Sequence, residues 1–168
     1  MIRSVAISAL AVALGLSGCA QPQSRSVGDR PPAPSDRADV VTLWAEPPAP
    51  VNWDDVPGPD GLRGCVYLFQ ADRALPVTVT GSLEFRLYAG RLTIAAAAKA
   101  EPIRVWRFGP DVLPRCLSRG LAGWGYRMVL DWGRDAPNAT SLTLVAVYVP
   151  PQGPPVASAP ISVAMGSM

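Results

Sequence analysis

Little in this 168-residue chain could do acid–base or nucleophilic chemistry: it has no histidine, and three cysteines, Cys19, Cys65 and Cys116. Without an imidazole the commonest general base, the commonest zinc ligand and the usual partner of a nucleophilic serine or thiol are missing. That excludes hydrolases of the ordinary triad kind. Carboxylates could still work in pairs, but Glu46, Glu84 and Glu101 fall in separate segments. Asp131 with Asp135, or Asp54 with Asp60, would have to be brought together by the fold. A catalytic site needs converging groups, and the spacing picks out none, so the expectation is no enzyme and no cofactor.

Two other sets of residues could bind rather than react. The acidic stretch from Asn52 to Gly61 places Asp54, Asp55 and Asp60 beside glycines, as calcium loops do, but without the alternate-position ligands such loops use. It reads as a turn in which Asp60-Gly61 reverses the chain, and no metal is expected. The five tryptophans could supply stacking platforms or an aromatic anchor. Trp44 and Trp132 fall within strand patterns and read as core, while Trp106, alternating with Arg104 and Phe108, could face either way. Trp53 and Trp124 lie in turn-rich segments, Trp124 between Gly123 and Gly125. These two are the candidate binding residues, expected to be partly exposed; the alternative is that they plug the open ends of the fold.

The first cysteine has its own context. Arg3 precedes an apolar, small-residue stretch from Ser4 to Leu16, about the length of a signal-peptide core and too short to span a bilayer. Leu16-Ser17-Gly18-Cys19 then resembles, at every position, the lipobox of bacterial lipoproteins. The resemblance implies that residues 1–18 are a signal peptide recognised through Leu16, Ser17 and Gly18, and that the mature chain begins at Cys19 with a diacylglyceryl group on its thiol and a further acyl chain on its amine. Two or three such chains hold a protein durably, at roughly 0.8 kcal/mol per buried methylene. Ala20 rather than an aspartate points, by the same resemblance, to an outer membrane, facing the periplasm or the cell surface. A membrane is therefore the first expected partner.

The remaining thiols, Cys65 and Cys116, would suit an oxidising compartment. A bridge between them would close about fifty residues and contribute roughly 4 kcal/mol on the chain-entropy model. The alternative is two buried thiols that never meet.

Positioning any of these groups falls to one domain. Residues 19–39 are rich in Pro, Ser, Arg and Asp, with Val27 the one sizeable apolar residue, so they read as a disordered tether. Residues 40–168 suffice for a single core. The formal net charge of +2 is small, Lys99 is the one lysine, and the arginines are dispersed rather than clustered, so nucleic acid is not an expected partner.

Val77, Val79, Leu83, Phe85 and Leu87 alternate with Thr78, Thr80, Ser82, Glu84 and Arg86, as in a strand with one buried face. Tyr126, Met128, Leu130 and Trp132 repeat the pattern, and the turn cluster at 133–137 joins that strand to Leu142–Val149 as a hairpin. Further strands are predicted at 40–45, 62–70, 103–108 and 156–165, the last pushed to an edge or bulge by Pro160. One short helix is predicted near 111–119, capped by Asp111, with Pro114 in its first turn and Gly120 as its stop; 95–100 is left open between a helical turn and a strand with a loop. Some seven short strands predict an all-β, two-sheet antiparallel sandwich.

The domain resembles the single immunoglobulin-like or transthyretin-like sandwiches carried by bacterial lipoproteins. That implies a non-enzymatic binding or structural module whose partner is an envelope protein or polymer. Val40–Ala45, Val51-Asn52 and Val66-Tyr67-Leu68-Phe69 also resemble the start of the outer-membrane lipoprotein of type VI secretion, which implies docking on a larger membrane subunit. A carbohydrate-binding module using Trp53 and Trp124 is the other alternative.

Overall fold

The computed structural model describes residues 30–43, 48–133 and 135–165. Leu16, Ser17, Gly18, Cys19, Trp44 and Glu46 lie outside these described residues.

The alternating segments form two antiparallel sheets. The first contains β1 (Val40–Leu43), β2 (Ala49–Val51), β3 (Gly61–Phe69), β6 (Leu117–Gly120) and β7 (Gly123–Asp131). Its order is β1-β3-β7-β6, with β2 also on β3. The second contains β4 (Ser82–Ala89), β5 (Arg104–Phe108), β8 (Ser141–Val149), β9 (Val156–Ala157) and β10 (Ile161–Ala164). Its order is β10-β8-β4-β5, with β9 also on β8. One parity of each strand faces the other sheet: Leu62, Val66 and Leu68 of β3 and Tyr126, Met128 and Leu130 of β7 share a core with Leu83, Phe85 and Leu87 of β4 and Leu142, Leu144 and Tyr148 of β8. The expected all-β, two-sheet sandwich is what forms.

The central strand of each sheet carries a divided edge. β1 pairs with Val66–Phe69 of β3 and β2 with Gly61–Arg63. In the second sheet β10 pairs with Ser141–Leu144 of β8 and β9 with Val147–Tyr148. Pro160 explains the second division, since it cannot donate to the ladder. Ser158 repairs the gap: its N–H donates to the Ala146 carbonyl at 2.8 Å, and its hydroxyl accepts from the Ala146 N–H at 3.0 Å.

Three features depart from the sequence expectation, and a fourth, at residues 95–100, settles a point the sequence leaves open. The single alternation from Val77 to Leu87 serves both sheets. Val77 bridges to Leu68 of β3, and only from Ser82 does the chain pair with β5 and β8. The predicted helix at 111–119 is one turn, α2 (Leu113–Cys116), with no side-chain cap from its N-cap residue, Val112, and Leu117 is already extended. Pairing of Leu117–Gly120 with β7 outweighs the local helical signals. Residues 95–100 begin in a helical turn, α1 (Ile94–Ala97), capped by the Thr93 hydroxyl.

The last departure is that the Pro-rich segment assigned to the tether is stitched to the domain from Pro32 onward. The Thr78 hydroxyl donates to the Pro32 carbonyl at 2.8 Å, and the Tyr148 hydroxyl donates to the Asp36 carbonyl at 2.9 Å. Ser35 pairs with Val79, and Ala38 is buried in the core.

Candidate functional site

The strand registers give the sandwich two ends. At one, β1 and β7 begin, β3 and β6 finish, and the described chain enters at Arg30; at the other lie the loops 52–60 and 132–140 and Met165. Each end holds an open cleft, and each candidate tryptophan sits in a different one.

The cleft at the far end has a volume of about 760 Å³ and is lined by Trp53, Val56, Pro59, Pro137, Asn138 and Met165 among others. Its floor is a loop that staples itself. The Trp53 N–H donates to Asp60 Oδ2 at 2.7 Å, the Val56 N–H to Asp54 Oδ1 at 2.8 Å, and the Asn52 amide to the Val56 carbonyl at 2.7 Å. Trp132, buried in the core, ties the loop down from below through its indole N–H, which donates to the Pro59 carbonyl at 2.7 Å. Gly61 is required at the start of β3, because a Cβ there would fall 2.5 Å from the Trp53 ring and 2.4 Å from the Leu130 carbonyl. These contacts hold the Trp53 backbone in place and set its ring against Gly61, while the residue stays 43% exposed. Such preorganisation is what an aromatic recognition residue needs, because little side-chain entropy remains to be lost on binding.

The carboxylates of this end are occupied by structure. Asp54 and Asp60 accept backbone N–H groups of the loop, and Asp131 accepts the Gly133 N–H at 2.6 Å. Asp135 stands in solvent near Arg104, 3.7 Å away. Among the described residues no group of three or more His, Cys, Asp or Glu could hold a metal ion. Trp106 settles inward: its indole N–H donates to the Asp131 carbonyl at 2.7 Å and its ring packs against the core.

The cleft at the entry end has a volume of about 780 Å³ and contains Trp124, Arg30, Arg73, Arg119, Leu75 and Leu121. Trp124 is half-buried. Seven residues of β7 separate it from Asp131, about 23 Å of extended chain, so Trp53 and Trp124 cannot form one stacking platform. The three arginines are scattered in the sequence and converge only through the fold. The local signal is the tip Gly120-Leu121-Ala122-Gly123, which has no polar side chain and leaves Leu121 96% exposed.

Cys65 and Cys116 are not bridged. Cys65 is buried on the parity of β3 that faces away from the other sheet, whereas Cys116 packs against the core between the sheets. Burial pushes the Cys116 thiol pKa up, so it stays protonated and unreactive at neutral pH.

On the outward face of the second sheet, a carboxylate with no forecast role makes the tightest charge cluster among the described residues. Glu84 is nearly buried and accepts from Arg86 Nε at 2.6 Å and Arg107 Nε at 2.7 Å. Burial pushes its carboxyl pKa up, but the hydrogen bonds from Arg86 and Arg107 outweigh burial and hold it below the ordinary value. Comparisons with protein-family models, curated proteins and solved structures give no match for this chain.

Proposed function

We propose that this protein is a lipid-anchored component of the bacterial envelope, fixed to a membrane through Cys19, whose sandwich is a non-enzymatic binding module. Its recognition element is the Trp53 cleft. One observation carries the reading: Arg30 and Pro32, at the start of the described chain, lie at the end opposite the cleft that displays Trp53. An anchor on the entry side would turn Trp53 away from the bilayer and into the compartment, where partners are. The membrane is the outer one by the Ala20 resemblance, with the domain facing the periplasm or the cell surface.

The wall facing Trp53 favours an envelope glycan as the partner. Asn138 and Thr140 line the cleft beside the exposed indole, and a stacking ring flanked by amide and hydroxyl groups is chemistry that binds a sugar face and its hydroxyls. Trp124 takes no part, being at the other end. A structural protein docked on the same cleft is the competing reading.

Two measurements test this. Mass spectrometry of the native protein should find an amino-terminal Cys19 carrying a diacylglyceryl thioether; an unmodified Cys19, or residues 1–18 still attached, overturns the anchor. Retention of the protein on immobilised peptidoglycan should fall at least about tenfold in Trp53→Ala, the scale of one lost hot-spot contact. Unchanged retention removes the glycan and leaves a protein partner.

A further inference from the structure

We infer that the entry-end cleft is a membrane-contact surface that takes the phosphate groups of anionic lipids, so that the domain rests on the bilayer in a fixed orientation. The inference rests on the lipid-anchor reading above and adds an orientation to it.

Charge is the first argument. Arg30, Arg73 and Arg119 line one cleft with no acidic residue among its lining. Of the acids in the flanking segments, Asp39 is bound by Arg37 at 2.8 Å, while Asp36 and Asp72 lie outside the cleft lining. Arg30, Arg73 and Arg119 are all exposed and come from three different segments. Arginine forks suit phosphate oxygens, and each cationic residue near an anionic leaflet strengthens partitioning about fivefold.

The second argument is the apolar rim. Leu75 and Leu121, 68% and 96% exposed, project from the two loops that frame the arginines. Large aliphatic side chains beside arginines match the interfacial layer, where alkyl groups enter the acyl boundary and guanidinium groups stay at headgroup depth. A soluble anion would give those leucines nothing.

Chain length is the third. Cys19 lies about eleven residues before Arg30, a span of at most about 40 Å when fully extended. Because residues from Pro32 are stitched to the domain, the anchor cannot draw on that segment for extra reach. The average span of eleven flexible residues is about 20 Å, shorter than the sheet, so an acylated Cys19 keeps this cleft, on average, nearer the lipid than the Trp53 cleft.

The test uses the native full-length lipoprotein, reconstituted into phosphatidylcholine vesicles with and without phosphatidylglycerol. Amide hydrogen exchange in 71–76 and 119–124 should slow at least about tenfold when phosphatidylglycerol is present, and the slowing should vanish near 1 M salt, where the screening length falls to about 3 Å. Replacing the exposed pair, Arg30→Gln with Arg73→Gln, should remove most of the protection while leaving exchange in the Trp53 loop unchanged. Equal exchange in both vesicles overturns the inference while the anchor, read separately by mass spectrometry, stands. Protection by millimolar inorganic phosphate with no anionic lipid also overturns it, because the cleft would then be a soluble-anion site.

Discussion

Glu84 shows how much a single side chain can depend on register. Arg86 follows it at the same parity of β4, and Arg107 is its direct partner across β5. The first relation is visible in the sequence as Glu-Phe-Arg; the second is not, because nothing local says which residue of a later strand lies opposite. Replacing Glu84 by Gln should destabilise the fold by about 1–2 kcal/mol at neutral pH, since two charge-assisted hydrogen bonds weaken while the largely exposed arginines remain screened by water. The pH dependence has a definite sign. With the folded carboxyl held below its ordinary value of 4.5, its contribution is complete above that pH and is lost as the pH falls through the lower folded value. Asp39, held down by the hydrogen bonds from Arg37 and the Ala71 N–H, acts in the same direction. Urea midpoints of wild type and Glu84→Gln should therefore converge below pH 4; a constant gap down to pH 3 would show that Glu84 acts through packing rather than charge.

Individual elements show which signals carry. Period-two alternation located β4 and β7, whose inward residues lie on the shared core, while β3 and β8, buried along nearly their whole length, were located by the turn residues that bound them. Two elements escaped, and so did one cluster of side chains. β2 is three residues long and contains Pro50, too little for any periodicity. β6 was masked by Asp111, Pro114 and Gly120, of which only Pro114 belongs to the single helical turn that forms; Gly120 lies in β6 itself, paired with β7. The convergence of Arg30, Arg73 and Arg119 belongs to tertiary structure alone, whereas Trp53 could be singled out because it sits among turn residues.

β6 and β7 also depend on a contact the sequence hides. The Tyr67 ring lies flat across β7 so closely that a Cβ on Gly125 would meet it at 2.7 Å, and one on Gly120 of β6 would meet its hydroxyl. Tyr67 is buried although it lies on the outward parity of β3. Gly125→Ala should cost about 1–3 kcal/mol by overpacking, and in a double-mutant cycle Tyr67→Ala should relieve most of that added cost. Strict additivity, measured by chemical denaturation, would show that the ring does not brace these strands.

For the molecule as a whole, the decisive matter is where the domain starts. Composition sets the boundary at residue 40, because prolines and polar residues before it offer little to bury. What composition cannot show is that backbone groups of those residues complete the hydrogen bonding of another segment. Ser35 accepts from the Thr80 N–H at 2.9 Å and donates to the Thr78 carbonyl at 2.8 Å, and the Asp39 N–H donates to the Phe69 carbonyl at 2.8 Å. Gln70 binds the Ser35 hydroxyl and the Arg37 carbonyl. A chain beginning at residue 40 would lose these bonds and uncover Thr78 and Val79, which are 2% and 5% exposed in the intact fold. At about 1 kcal/mol for each bond lost, such a chain should be about 3–5 kcal/mol less stable than one beginning at residue 30. The chain beginning at residue 30 should match one beginning at residue 20, in thermal midpoint and in urea. Equal stability of all three would mean that residues 32–39 merely lie on the surface. The entry end would then be free to swing on a leash of about twenty residues, which by reach alone could lift the arginine cleft off the bilayer.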